Sequence, residues 1–95
     1  MEFSYYAIFQ YDVDGICISF PDVPSALTCA DKEEEGINYA REVLELALHG
    51  LPEEKVPFSS PIEQIILREN QKMFLIATEI AIRNGKLFSP RVKEL

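Results

Sequence analysis

A small α+β domain is expected from this sequence: a mostly antiparallel sheet in the chain order β-β-β-α-β, with one long helix packed on one face. Three observations predict it. Aromatic and β-branched residues alternate through "YYAIFQY" and again through "ICISF", with "DVDG" between them. An apolar stripe at helical spacing runs through residues 37–48, and a second apolar run, "KMFLIATEIAI", follows a polar connector. Ninety-five residues are enough for one domain of this kind. The α+β unit is expected over residues 1–82, followed by a basic tail over 83–95.

The first strand places Tyr5, Ala7, Phe9 and Tyr11 on one face and Tyr6, Ile8 and Gln10 on the other, the period of two that a strand requires. Asp and Gly between two alternating runs signal a tight hairpin, so the first two strands should pair antiparallel around residues 12–15. Pro21 and Pro24 carry no ladder donor; they end the second strand and force a corner. "ALTCA" reads as a short third strand. Asp31 is the expected N-cap of the helix, with Glu34 three residues on to reach back as in a capping box. Glu33, Glu34 and Glu35 fill the first turn, where the helix dipole favours negative charge.

The helix is expected over residues 32–49. Ile37, Ala40, Val43, Leu44, Ala47 and Leu48 form its buried stripe. Arg41 and Glu45 are spaced as an outward i,i+4 pair, and Gly50 is the expected stop. Gly36 costs the helix about 0.5–1 kcal/mol relative to Ala unless close packing against the sheet needs it. In "SPIEQIILREN", Ser60 is a candidate cap and Pro61 a first helical residue, predicting a short helix or turn. The near-continuous apolar run of the fourth strand predicts a central position covered on both sides. "SPRVKEL" offers a short final helix capped by Ser89.

The net charge of −7 is unevenly spread. Residues 1–82 carry fifteen acids against five Lys/Arg, whereas the last thirteen hold Arg83, Lys86, Arg91 and Lys93 against Glu94. An acidic body repels nucleic acid, whose affinity rests on phosphate neutralisation; it suits a basic protein partner, or solubility alone. Cys17 and Cys29 are too few for a disulfide framework and sit in strand-like segments, where cysteine behaves as a small hydrophobe. No basic-then-apolar leader opens the chain, and its longest apolar stretch is too short for a bilayer and carries Glu79. A cytoplasmic protein without membrane contact is expected.

Candidate chemistry is sparse. Asp12 and Asp14 begin like a calcium loop, but Gly15 comes too early and Val23 stands where the closing acid belongs. Asp12, Asp14, Asp22 and Asp31 fall at strand ends and turns, where Asp is already favoured. His49 is the only histidine, and its place beside Gly50 suits a hydrogen bond to the last helical carbonyls. Ser59 and Ser60 read as loop or cap residues, and neither cysteine has a basic sequence neighbour that would activate it. No catalytic residue, metal ligand or cofactor is assigned.

The order strand, "DG" turn, strand, "FPDVP", "ALTCAD" and "EEEGINYAREVLELALHGL" resembles the N-terminal domain of the HicB-like antitoxins, strongly over residues 5–51 and weakly to about residue 82. The resemblance implies a partial RNase H-like fold without nuclease activity. It also implies a small basic partner, a toxin of the HicA type that cleaves mRNA and whose active site the antitoxin masks. Ser25 stands where the family often has Gly, and Gly36 where Ala is usual. The family commonly adds a C-terminal ribbon-helix-helix or helix-turn-helix module. The thirteen residues after Ile82 cannot hold one, so direct DNA binding is not expected and the chain reads as a short or orphan form.

Three functions follow as expectations. The first is an antitoxin-type binding domain, with Tyr11 as aromatic anchor and Asp12, Asp14, Glu33, Glu34 and Glu35 as acidic contacts; Pro21, Pro24, Asp31 and Gly50 are structural. The second is an orphan homo-oligomeric regulatory or scaffold domain, motivated by small size and an open sheet edge. The third is a metal-dependent nuclease built on the aspartates.

Overall fold

The computed structural model describes residues 1–92. The α+β class is as expected, and the order β-β-β-α-β holds through the fourth strand, after which two further strands follow. Strand β1 (Glu2–Asp12) turns through Val13 and Asp14 into β2 (Gly15–Ser19), with Asp12 opposite Gly15. Strand β3 (Leu27–Ala30) pairs antiparallel with β2, helix α1 (Glu33–Leu48) follows, and β4 (Gln71–Glu79) returns antiparallel to β1. The four-stranded sheet has the order β3-β2-β1-β4. A separate hairpin joins β5 (Ala81–Arg83) to β6 (Lys86–Phe88).

The corner after β2 consists of two consecutive turns. Val23 N–H donates to Phe20 O at 3.1 Å and Ala26 N–H to Val23 O at 2.9 Å. Pro21 and Pro24 each occupy the second position of a turn, where their fixed φ is already correct. Neither Asp22 nor Ser25 takes a positive φ, so serine meets no strain at position 25. Between these turns Phe20, Val23 and Ala26 point into the core.

The core lies between α1 and one face of the sheet. Tyr5, Ala7 and Phe9 of β1, Ile16 and Ile18 of β2, and Ile76 of β4 meet Ala40, Leu44 and Leu48 of the helix. The helix comes closest at Gly36, where an added Cβ would lie 2.8 Å from a Phe9 ring carbon and 3.1 Å from Ile18 Cδ1. Glycine here is a packing requirement that outweighs its helix-propensity cost. Gly50 takes φ +85° directly after the helix, the conformation that stops it. Its N–H donates to Leu87 O at 2.8 Å.

Several local expectations are corrected. Strand β4 lies at an edge of the sheet rather than at its centre, and only one of its faces is covered: Ile76 and Thr78 are buried, while Leu75 on the other face is 55% exposed. Lys32, not Asp31, is the N-cap, and it makes no side-chain cap hydrogen bond, so the capping box expected at Asp31 does not form. The first helical bond runs from Gly36 N–H to Lys32 O at 2.9 Å, one residue too late for Asp31 to cap. Glu45 does not face outward beside Arg41. It is 2% exposed and accepts a 2.7 Å bond from Thr78 Oγ1, with Arg91 Nε 3.7 Å away, while Arg41 donates to Asn38 Oδ1. A carboxylate bonded by a buried hydroxyl and faced by a guanidinium has the partners that burial demands.

Ser60 caps nothing. Pro61 precedes a single 3-10 turn (Ile62–Gln64), and Ser60 gives its N–H and Oγ to Asp22 at 2.7 and 2.6 Å. A further 3-10 turn, Glu53–Lys55, lies in the polar connector. Ile82 lies within a hairpin, because β5 pairs with β6, and Leu87 beyond it joins the core. Leu87 N–H donates to Leu51 O and Ser89 N–H to His49 Nδ1 at 3.0 Å, so the basic stretch is fastened to the helix end. The final helix expected from "SPRVKEL" reaches into residues 93–95, outside the described residues; before them, Val92 N–H closes a turn on Ser89 O.

The Gly36 contact predicts that Gly36→Ala is destabilising. Overpacking a core costs about 1–3 kcal/mol, which exceeds the gain of about 0.5–1 kcal/mol from replacing a helical glycine. Urea unfolding should show a lower midpoint with an unchanged slope; a midpoint equal to or above wild type would show that Phe9 and Ile18 yield freely.

Candidate functional site

The β1–β2 turn, the end of β3 and the start of α1 meet at one end of the sheet and enclose an open cleft of about 510 Å³. Asp12, Asp14, Asp31 and Glu35 line it, together with Gly15, Ile16, Cys17, Cys29, Ala30 and Tyr39. No Lys or Arg is among these residues. Asp12 and Asp14 arrive with the hairpin turn, Asp31 with the unpaired step from strand to helix, and Glu35 and Tyr39 from one helix face four residues apart. Asp12 is oriented by Gln10 Nε2 at 3.1 Å and Asn70 Nδ2 at 3.3 Å. Tyr39 Oη donates to Glu35 Oε2 at 3.4 Å, and the Glu35 charge is the first cause of a raised phenol pKa.

The expected contact residues divide between two places. Asp12, Asp14 and Glu35 share the cleft. Tyr11 and Glu33 instead engage each other: Tyr11 Oη donates to Glu33 Oε1, Lys72 Nζ lies 3.6 Å from the same oxygen, and that ammonium sits 5.4 Å from the Tyr11 ring centre. Glu34 is exposed and does not line the cleft. Tyr39, 38% exposed, is the aromatic wall in place of Tyr11. Asp31 joins the site because it is released from the capping role its sequence position suggested. The Glu35–Tyr39 spacing was the available signal for Tyr39.

Pro21 and Pro24 hold the corner and Gly50 the helix stop, as their residue types required. Cys17 and Cys29 are exposed rather than core residues, since both point away from the helix. His49 accepts from Ser89 N–H through Nδ1, with its ring 5.4 Å from Phe88. Asp22 is engaged with Ser60, away from the cleft aspartates. Among the described residues, no three His, Cys, Asp or Glu side chains converge in a metal-binding arrangement. The cleft carboxylates are spread around a rim, which suits several separate cationic side chains better than a single ion.

The Tyr11–Glu33 pair has a defined pH signature. Partial burial and then the Glu33 carboxylate push the Tyr11 phenol up to about 12, and the Tyr11 hydrogen bond is the main cause holding Glu33 below its usual value. The lowered Glu33 pKa contributes stability above the ordinary carboxylate value, lost as pH falls through its folded value. The raised Tyr11 pKa contributes below pH 10.0, and that part is lost as pH rises through about 12. An NMR titration should place the Tyr11 midpoint near 12. Glu33→Ala should lower it only part of the way, because burial remains; an unchanged midpoint would remove Glu33 as a cause.

No protein-family model matches this chain. Over 65 residues it is 35% identical to an uncharacterized 14.9 kDa protein of the rep-hol intergenic region of Haemophilus phage HP1 (strain HP1c1). The match covers 66% of this chain and 49% of that protein, so the chain spans about half the length of the curated relative it matches.

Proposed function

We propose that this chain is a protein-binding domain of the HicB-like antitoxin kind, acting in the cytoplasm without catalysis of its own. The acidic cleft takes Lys and Arg side chains of a small basic partner. On the resemblance of residues 5–51, that partner is a HicA-type mRNA-cleaving toxin whose active site is masked on binding. The observation that carries the reading is the set of four carboxylates, Asp12, Asp14, Asp31 and Glu35, around one open cleft whose lining has no cation. Such a surface repels phosphate backbones and attracts a cationic protein surface, raising the association rate and rejecting acidic partners. Ile16, Ala30 and Tyr39 add an apolar, aromatic wall, the mixture that protein interfaces favour at their centre.

A second reading has its own observation. The sheet face away from the helix is uncovered among the described residues and exposes Leu27 and Leu75, and β3 and β4 are both sheet edges. A homo-oligomeric regulatory domain would use these surfaces, and a monomer mass that stays constant with concentration in sedimentation would eliminate it.

For the first reading, affinity capture from the native host at low salt should recover a small basic protein whose RNA cleavage stops on binding. Asp12→Asn combined with Asp14→Asn and Glu35→Gln should slow association about tenfold, with less effect on dissociation, and should flatten the salt dependence. Equal association rates for variant and wild type would take the cleft out of recognition. Recovery of the chain alone would favour the homo-oligomer.

A further inference from the structure

Cys17 and Cys29, the two cysteines of the chain, stand directly opposite each other on β2 and β3, and both are exposed. The type of pairing decides what they can do. Asp12 and Gly15 flank a two-residue turn, so they exchange the ladder hydrogen bonds there. Alternation makes Gln10–Cys17 a hydrogen-bonded pair too, which turns the Cys17 peptide groups toward β1. Tyr11, the intervening residue, fits the same alternation, because its N–H donates in the opposite direction to Asn70 O at 2.8 Å. Cys17 therefore offers β3 no backbone groups, and Cys17–Cys29 is a non-hydrogen-bonded pair. In such pairs the Cα atoms are about 4.5 Å apart and the side chains project side by side from one face. Disulfides accept Cα separations of about 4.4–6.8 Å. The bond is thus within reach without moving the backbone, at the short end of the range, where a disulfide is strained and more readily reduced.

We propose that Cys17 and Cys29 are a reversible dithiol–disulfide site that exchanges with small disulfides of the glutathione type. The thiolate of one cysteine attacks the small disulfide, forming a mixed disulfide and expelling one small thiolate. The thiolate of the other attacks the protein-bound sulfur, closes the Cys17–Cys29 bond and expels the second. The protein pair loses two electrons and two protons; the small disulfide gains the electrons, and its two thiolates take up the protons. Both cysteines border the acidic cleft with their side chains on the sheet face away from the helix, and β3 is a four-residue edge strand. The bond ties that edge to β2 and fixes one wall of the cleft.

The test uses the full, folded chain, reduced and then equilibrated with excess oxidised glutathione, with free thiols trapped by alkylation and the intact mass measured. The expected product is a monomer lighter by two hydrogen atoms. It should exceed the singly glutathionylated chain about tenfold or more, because the second thiol competes at a high effective concentration. It should disappear on return to a reducing buffer. Lys32 is the first basic residue, so trypsin releases both cysteines in one peptide whose fragmentation locates the bond. Cys29→Ser, a change at an exposed position, should instead accumulate a glutathione adduct on Cys17. Adducts on both wild-type cysteines, interchain dimers or unreacted thiols would each overturn the proposal.

Discussion

The approach of α1 to the sheet at Gly36 is the contact on which the rest of the arrangement depends. With no side chain at position 36, the helix backbone lies directly on Phe9 and Ile18. That closeness brings Glu33 onto Tyr11 and Lys72 at one end of the helix and Glu45 onto Thr78 at the other. It also lets Ala40, Leu44 and Leu48 meet the inner face of the sheet without a gap. A helix held off by even a methyl group would loosen these contacts together, because protein interiors are close-packed and transmit small displacements.

Around that contact the connectors are fastened by a few specific bonds. Asp22 holds the long loop through Ser60, and Tyr5 Oη bonds Pro57 O at 2.7 Å. The terminal hairpin is tied to the helix end through Leu87, bonded to both Gly50 and Leu51, and through a bridge between Pro52 and Lys86. Arg83 lies 4.2 Å from the Phe88 ring centre and Arg91 faces Glu45. Part of the positive charge near the C-terminus is therefore engaged within the molecule.

The acidic residues accordingly have two fates. Asp22, Glu33 and Glu45 meet internal donors or cations and act as structural ties. Asp12, Asp14, Asp31 and Glu35 gather on the cleft rim, where the lining offers no cation. Their mutual repulsion is tolerated because the cleft is open to solvent, where screening is strong. A cationic partner surface would relieve that repulsion, which gives charge recognition at this position its physical basis. Cys17 and Cys29 border the same cleft, on the two paired strands that form one of its walls.

The amino-acid sequence alone specifies the local elements: the alternating hairpin, the double-proline corner, the helical stripe and the Gly50 stop. Each is specified by neighbours a few residues apart, through side-chain period, fixed φ or glycine's access to positive φ. It could not separate a strand covered on both faces from β4 at an edge, since an apolar run looks the same in both settings. It could not tell which carboxylates turn inward: Glu45 reads as a surface residue until the helix is laid across Thr78, and Asp31 as a cap until the helix begins at Glu33. The two cysteines are twelve positions apart in sequence and become adjacent only through the β2–β3 register. Helix placement and strand register are long-range choices, made by the packing of Gly36 on Phe9 and by the hydrogen-bond ladders, and those interactions decided where the cleft lies.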